Sequence, residues 1–264
     1  MSGDETEEVG LIDVIERAEE LVKARMEDND PSHDWHHVHR VRLMALSLSR
    51  CPSLAHVGTI DPIVLELGAL FHDLCDAKYL PQNSATGPTT AKTVLSDFFE
   101  PFLAGGLVNA EQVQCIYHIV DSTSWSKEEK RRAAKVGEDE EAKWQKQCGE
   151  FQCVSDADRL DAIGSIGILR VAAFSGAKDR PLHIPPANPA QDSVPPAEQG
   201  EGYNGSAVAH FHSKLLKIKD DRLWTDMARS EASRRQSMMQ SFLTELDLEW
   251  LVADQGAQLS LLQE

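Results

Sequence analysis

Three short clusters carry the side chains of this chain that could do chemistry. The first is Ser32-His33-Asp34-Trp35-His36-His37-Val38-His39-Arg40-Val41. The second is the dipeptide His72-Asp73, which closes the apolar run Ile63 to Phe71. The third is Asp156-Ala157-Asp158-Arg159-Leu160-Asp161. An imidazole and a carboxylate beside a hydrophobic run are costly unless a partner or a metal holds them. Together the clusters could supply a site of the form His, His, Asp, Asp. Such a nitrogen and oxygen set suits a divalent ion such as Mn, Fe, Co, Ni or Mg better than a thiolate zinc site. Each residue alone also has an ordinary reading: an inward histidine as a satisfied core group, an aspartate at a helix start as a cap.

The elements that must position these residues read as helices. Leu11, Val14, Ile15, Ala18, Leu21 and Val22 recur at three- and four-residue spacing, which predicts an amphipathic helix over about 9–27. Asp34 can cap a second helix, with Val38, Val41, Ala45 and Leu48 on one face. His37 lies one turn before Val41 on that face, which aims its imidazole inward. A third helix, about 60–76, is apolar on most sides and should be central. Weaker patterns predict helices at about 88–103 and 109–122.

Beyond them, 127–147 is mostly charged and reads as a solvated helical excursion. A buried helix is expected over 155–175, with Asp158 one turn before Ala162. Six prolines between Pro181 and Pro196 exclude helix within 176–203, leaving a long loop that is either disordered or a lid. Helices return at about 205–219 and 221–254. No strand signal or internal repeat is visible, so the expected class is all-α. The domain organisation expected is an acidic disordered stretch over 1–8 and one helical domain over 9–254. That domain carries a charged insertion at about 127–150 and the proline-rich loop.

The 264 residues are enough for a substantial core, and 41% hydrophobic content is ordinary for a globular protein. A net charge of −17 argues against a nucleic-acid polymer as partner, which needs a basic surface. It leaves room for a small anionic substrate in a local pocket of Arg and Lys. Five cysteines without a CxxC pair suggest reduced thiols inside the cell. The acidic start is not a signal peptide and no apolar run reaches membrane-spanning length, so a cytoplasmic or nuclear location is expected.

The pattern His37-Val38-His39-Arg40-Val41, Phe71-His72-Asp73 and Ala157-Asp158-Arg159-Leu160 resembles the HD-domain metal-dependent phosphohydrolases. The closer resemblance is to the YedJ/YpgQ-like branch. It rests on Ser32-His33-Asp34-Trp35, on the string from Asp156 to Gly167, and on His210-Phe211 before Lys214-Leu215-Leu216-Lys217-Ile218. It covers about residues 12–245. It implies an HD-domain helical bundle with a C-terminal helical extension, holding one divalent metal ion between His37, His72, Asp73 and Asp158. Asp158 is preferred to Asp156 because the Ala-Asp-Arg-Leu phase matches the family, leaving Asp156 as a cap or a supporting residue.

The resemblance also implies hydrolysis of nucleotide phosphates by metal-activated water. Asp73 and Asp76 would be the catalytic carboxylates, with Asp76 placed where relatives carry an acid-base residue. Arg40, Lys78, Arg159 and Lys214 lie near the matched motifs and could take phosphate. His33 and His118 could orient ligands or contact substrate, and His210 is a weaker candidate of that kind. The expected partner is a small-molecule nucleotide, with at most a second copy in a homodimer and no membrane. Where relatives carry a further histidine, this chain has Thr123, which keeps open a catalytically silent nucleotide-binding sensor or scaffold.

Overall fold

The computed structural model describes residues 3–75, 89–134, 137, 139–185, 197–200 and 203–259. Among these every regular element is helical, as the apolar spacing predicts. The chain divides into two compact units. The first comprises Met1–Asn29, His33–Asp158 and Trp224–Ala228; the second comprises Asp30–Ser32, Arg159–Leu223 and Arg229–Glu264.

The first unit is built on α3 (Pro62–Phe71). Proline at its first position and the Asp61 carboxylate, which accepts the Ile63 and Val64 amides, start the helix cleanly. Eight of its ten residues are buried, so it is the central helix expected from its composition. It packs against α1 (Gly3–Arg25), α2 (Trp35–Leu48) and α5 (Ala110–Ser122). α1 begins earlier than the expected position near residue 9 and buries Val14, Ala18 and Val22.

Arg42 on α2 bridges Glu19 on α1 and Glu66 on α3, fastening three helices with one guanidinium. Gly68 permits the close approach of α5, because a Cβ there would sit 3.2 Å from Ile119 Cγ2. α4 (Ala91–Ala104) contributes Phe98 and Phe99, whose rings meet Phe71 edge-on at 5.1 and 5.9 Å.

The charged stretch forms two short helices, α6 (Trp125–Ala133) and α7 (Glu140–Gln147), neither of which buries a residue. α8 (Gly149–Asp161) follows. Glu150 accepts the Asp61 amide at 2.7 Å, so the starts of α8 and α3 are tied together.

The second unit contains α9 (Gly164–Ala177), α10 (Ala207–Ser213) and most of α11 (Asp226–Asp254). Arg235 donates to the Leu160 carbonyl at 2.6 Å. Gln236 donates to the carbonyls of Leu215 and Ile218. Buried Glu198 accepts from His183, from the Ile184 amide and from Ser206.

Four further helix boundaries differ from expectation. The buried helix expected over 155–175 is two helices: Ile163 is extended, and Gly164 turns at φ 76°. The third helix ends at Phe71 rather than 76, because the His72 side chain takes the Ala69 carbonyl that a continuing turn would use. The segment expected over 205–219 shortens to α10 followed by a 3-10 turn, Leu215–Lys217. The last helix begins at Asp226 rather than 221. The proline-rich stretch falls largely outside the described residues.

Candidate metal centre

His37 and the His72-Asp73 pair arrive at one point by different local routes. Asp34 caps α2 by accepting the His37 amide at 2.9 Å, which fixes the first turn so that His37 projects inward; its ring is fully buried. His72 stands at the end of α3, where its Nδ1–H donates to the Ala69 carbonyl at 2.7 Å. A carbonyl can only accept, so Nδ1 carries a proton and Nε2 is the ring nitrogen that faces the site.

That nitrogen has close neighbours. His72 Nε2 lies 3.3 Å from His37 Nε2 and 3.6 Å from Asp73 Oδ2, and His37 Nε2 lies 3.2 Å from the same oxygen. Asp158 Oδ1, from α8, is 3.6 Å from His37 Nε2 and 3.8 Å from His72 Nε2. Asp73 Oδ2 is buried without a hydrogen-bond partner. Burial opposes charge on Asp73, but His72 and His37, with His33 beyond them, hold its carboxyl well below the usual carboxylate range.

Imidazole nitrogens and carboxylate oxygens gathered this closely make a set that one cation would hold. Donors about 2.1 Å from one ion lie about 3.0 Å apart at a right angle and about 3.4 Å apart at a tetrahedral angle. The His37–His72 and His37–Asp73 spacings fall in that range, and the others, at 3.6–3.8 Å, are wider. His37, His72 and Asp73 form the compact set, with Asp158 facing the two imidazoles, and the imidazole-carboxylate chemistry fits a divalent ion.

The other sequence candidates fall in different places. The His33 ring meets His37 edge-on at 5.8 Å, beside the cluster. Arg40 is half-buried on α2. His118 Nε2–H donates to Glu141 Oε2 at 2.6 Å, and its ring stacks on Trp144 at 3.5 Å and 10°. Arg159 is nearly buried and donates to the Arg222 carbonyl at 2.6 Å. Lys214 follows α10, its amide donating to the His210 carbonyl, and the His210 ring contacts Asn204 Oδ1 at 3.0 Å. Asp76 and Lys78 lie outside the described residues.

Asp156 has a separate task. Its carboxylate accepts the Trp224 amide at 2.9 and 3.2 Å, the Thr225 amide at 2.8 Å and the Thr225 hydroxyl at 2.9 Å. It lies inside α8 rather than at a helix start, so it caps no helix of its own and instead holds the segment that leads into α11. Buried Thr123 donates its hydroxyl to the Ile119 carbonyl, closing α5 on itself. Sequence reasoning missed Glu141 and Trp144. The only signal for them was a three-residue spacing within a stretch dominated by charge.

An all-α bundle that gathers a histidine from one helix, a His-Asp pair from the end of a second and an aspartate from a third has the architecture of the HD-domain proteins. Comparison with known proteins agrees. The chain is 32% identical over 239 residues to YpgQ of Bacillus subtilis (strain 168), covering 88% of this chain and 93% of that protein. The crystal structure of Bacillus subtilis YpgQ in complex with ADP matches at a TM-score of 0.57 and 26% identity. That match covers 89% of this chain and 97% of the other. An HD-superfamily hydrolase from Bacillus thuringiensis matches at a TM-score of 0.57 and 29% identity, covering 91% and 98%. No protein-family model matches. This chain belongs to the YpgQ-like branch of the HD-domain superfamily.

Proposed function

We propose that the chain is a metal-dependent phosphohydrolase of nucleoside or deoxynucleoside phosphates. The observation that carries this reading is the convergence of His37, His72 and Asp73, with Asp158 facing both imidazoles. A hydrolase among the structural neighbours and the ADP complex of YpgQ support it.

His37, His72, Asp73 and Asp158 would hold one divalent ion, which supplies a Lewis acid for a phosphoryl oxygen and lowers the pKa of water. The protein's own residues do the rest. The Ala69 carbonyl fixes the His72 tautomer, and the Asp34 cap fixes the direction of His37. Asp73 would act beside the attacking water as well as ligate. Asp76, placed by sequence a few residues beyond it, would move a proton between water and leaving group. His33, His118, Arg40, Lys78, Arg159 and Lys214 remain the proposed substrate contacts, with two requirements for change. Arg159 would have to share its guanidinium with the Arg222 carbonyl, and His118 would have to leave or carry along Glu141.

The test is a nucleotide panel incubated with protein stripped of metal and reloaded with Mn, Co, Ni, Fe or Mg, in wild type and Asp73→Ala. Phosphate or pyrophosphate release by wild type alone supports the reading. Metal-loaded, folded wild type that turns over no nucleotide removes it. Thr123, whose hydroxyl is committed to its own helix, favours a second reading as a nucleotide-binding sensor or scaffold. Nucleotide-dependent thermal stabilisation without hydrolysis would select that one.

A further inference from the structure

Cys115 on α5 and Cys148, the residue that ends α7, bring their sulfur atoms to 3.9 Å. Both belong to the first unit, and both are free thiols. A disulfide needs about 2.05 Å, so a closure of roughly 2 Å separates the pair from a bond. They bracket the charged excursion and stand at its base, with His118 one turn beyond Cys115 on α5.

The two thiols are not equivalent. Cys148 is buried, accepts the Phe151 amide at 3.4 Å and donates to Glu150 Oε2 at 3.5 Å. Its contact with Cys115, together with burial, raises its pKa far above the thiol range. Cys115 is half-buried. The contact with Cys148 lowers its pKa, against burial and the carboxylates of Glu150 and Asp61. The thiolate is the form that reacts with peroxides, so Cys115 is the attacking sulfur and Cys148 the one that resolves.

We propose that Cys115 and Cys148 form an oxidation site, at which a hydroperoxide converts the dithiol into a reversible disulfide across the base of the charged excursion. The Cys115 thiolate attacks the terminal peroxide oxygen, the O–O bond breaks, and the leaving oxygen takes a proton and departs as water or an alcohol. Cys115 is left as a sulfenic acid. The Cys148 sulfur then attacks the Cys115 sulfur, the S–O bond breaks, and hydroxide takes the Cys148 proton to leave as water. Two thiols lose two electrons and two protons, and one peroxide gains them.

The experiment uses the reduced full chain and hydrogen peroxide. Remaining thiols are blocked with N-ethylmaleimide, and peptides are mapped by mass spectrometry without reductant. The expected result is a peptide pair linked between Cys115 and Cys148. Titratable thiols fall from five to three and return with dithiothreitol. Cys115→Ser should lose the linked pair, and Cys148→Ser should leave a dimedone-reactive sulfenic acid on Cys115. Wild-type mapping alone decides the matter if a variant fails to fold. Oxidation that falls first on Cys51 or Cys75, with no 115–148 linkage, overturns the proposal. So does undiminished modification kinetics in Cys115→Ser.

Discussion

Two aspartates on α8, separated only by Ala157, should answer an alanine substitution in opposite ways. Asp156→Ala strips the acceptor from the Trp224 amide, the Thr225 amide and the Thr225 hydroxyl. Thr225 is fully buried, so its two donors have no route to solvent, whereas Trp224 is half-buried. A buried donor left unsatisfied costs about 1–3 kcal/mol. Counting the two Thr225 donors in full and the exposed-side Trp224 amide as negligible gives about 2–6 kcal/mol. For a chain of this size that lowers the melting temperature by roughly 4–24 °C.

Asp158→Ala removes a partly exposed carboxylate that faces two imidazole nitrogens. The metal-free protein should change by less than about 1 kcal/mol, while the stabilisation gained from added metal disappears. Circular dichroism melts of chelator-treated protein, with and without Mn, measure both. If Asp156→Ala melts within about 2 °C of wild type, the anchoring argument fails. If Asp158→Ala keeps the full metal response, the ligand assignment fails.

Free metal at a hundred times its dissociation constant adds about 2.7 kcal/mol to a folded state that alone binds it, which is roughly 5–10 °C in melting temperature. His72→Gln should abolish that shift in the same melts. Asp139 has its carboxyl lowered to about 2 by the paired Arg131 guanidinium and by the Ala142 amide. A depressed carboxyl stabilises above its unfolded value and loses that contribution as pH falls through its folded one, so the α7 cap should loosen between about pH 4 and pH 2. Arg131→Ala should move the Asp139 titration toward 3.8, read by NMR, and an unmoved titration would refute the pairing. A Cβ at Gly167 would stand 2.3 Å from the Ala162 carbonyl oxygen, whereas one at Gly176 would meet nothing within 4 Å. Chemical denaturation should therefore show Gly167→Ala losing at least about 2 kcal/mol and Gly176→Ala staying within about 1 kcal/mol of wild type.

How much of this was legible in the sequence depended on whether the determinant was local. α2, α3 and α5 follow from short-range signals: Asp34 ahead of an apolar stripe, an almost wholly apolar ten-residue run, and the weaker apolar pattern over 109–122, whose start the structure closes with an Asn109–Gln112 capping box. The break between α8 and α9 escaped because Ile163 and Ile166 continue the apolar period while the turn lies in the φ of Gly164. The early end of α3 escaped because it depends on where one histidine side chain finds its acceptor. At the centre itself, residue types and spacing suggested a His, His, Asp, Asp site, and the family resemblance implied His37, His72, Asp73 and Asp158 as its members. Periodicity could not show that Asp156 points to Trp224 and Thr225, or that Glu141 and Trp144 embrace His118, because those pairings join segments remote in sequence.

The hold of Asp156 on Trp224 and Thr225 also orders the making of the protein. A chain still on the ribosome with α8 just emerged already carries all four donors of the cluster. The segment that clamps α8 lies nearly seventy positions further on, and its amides have not yet been synthesised. Contacts so distant form late and slow the approach to the native state. Premature termination before Trp224 therefore yields a polypeptide with every donor present and no finished cradle to present them.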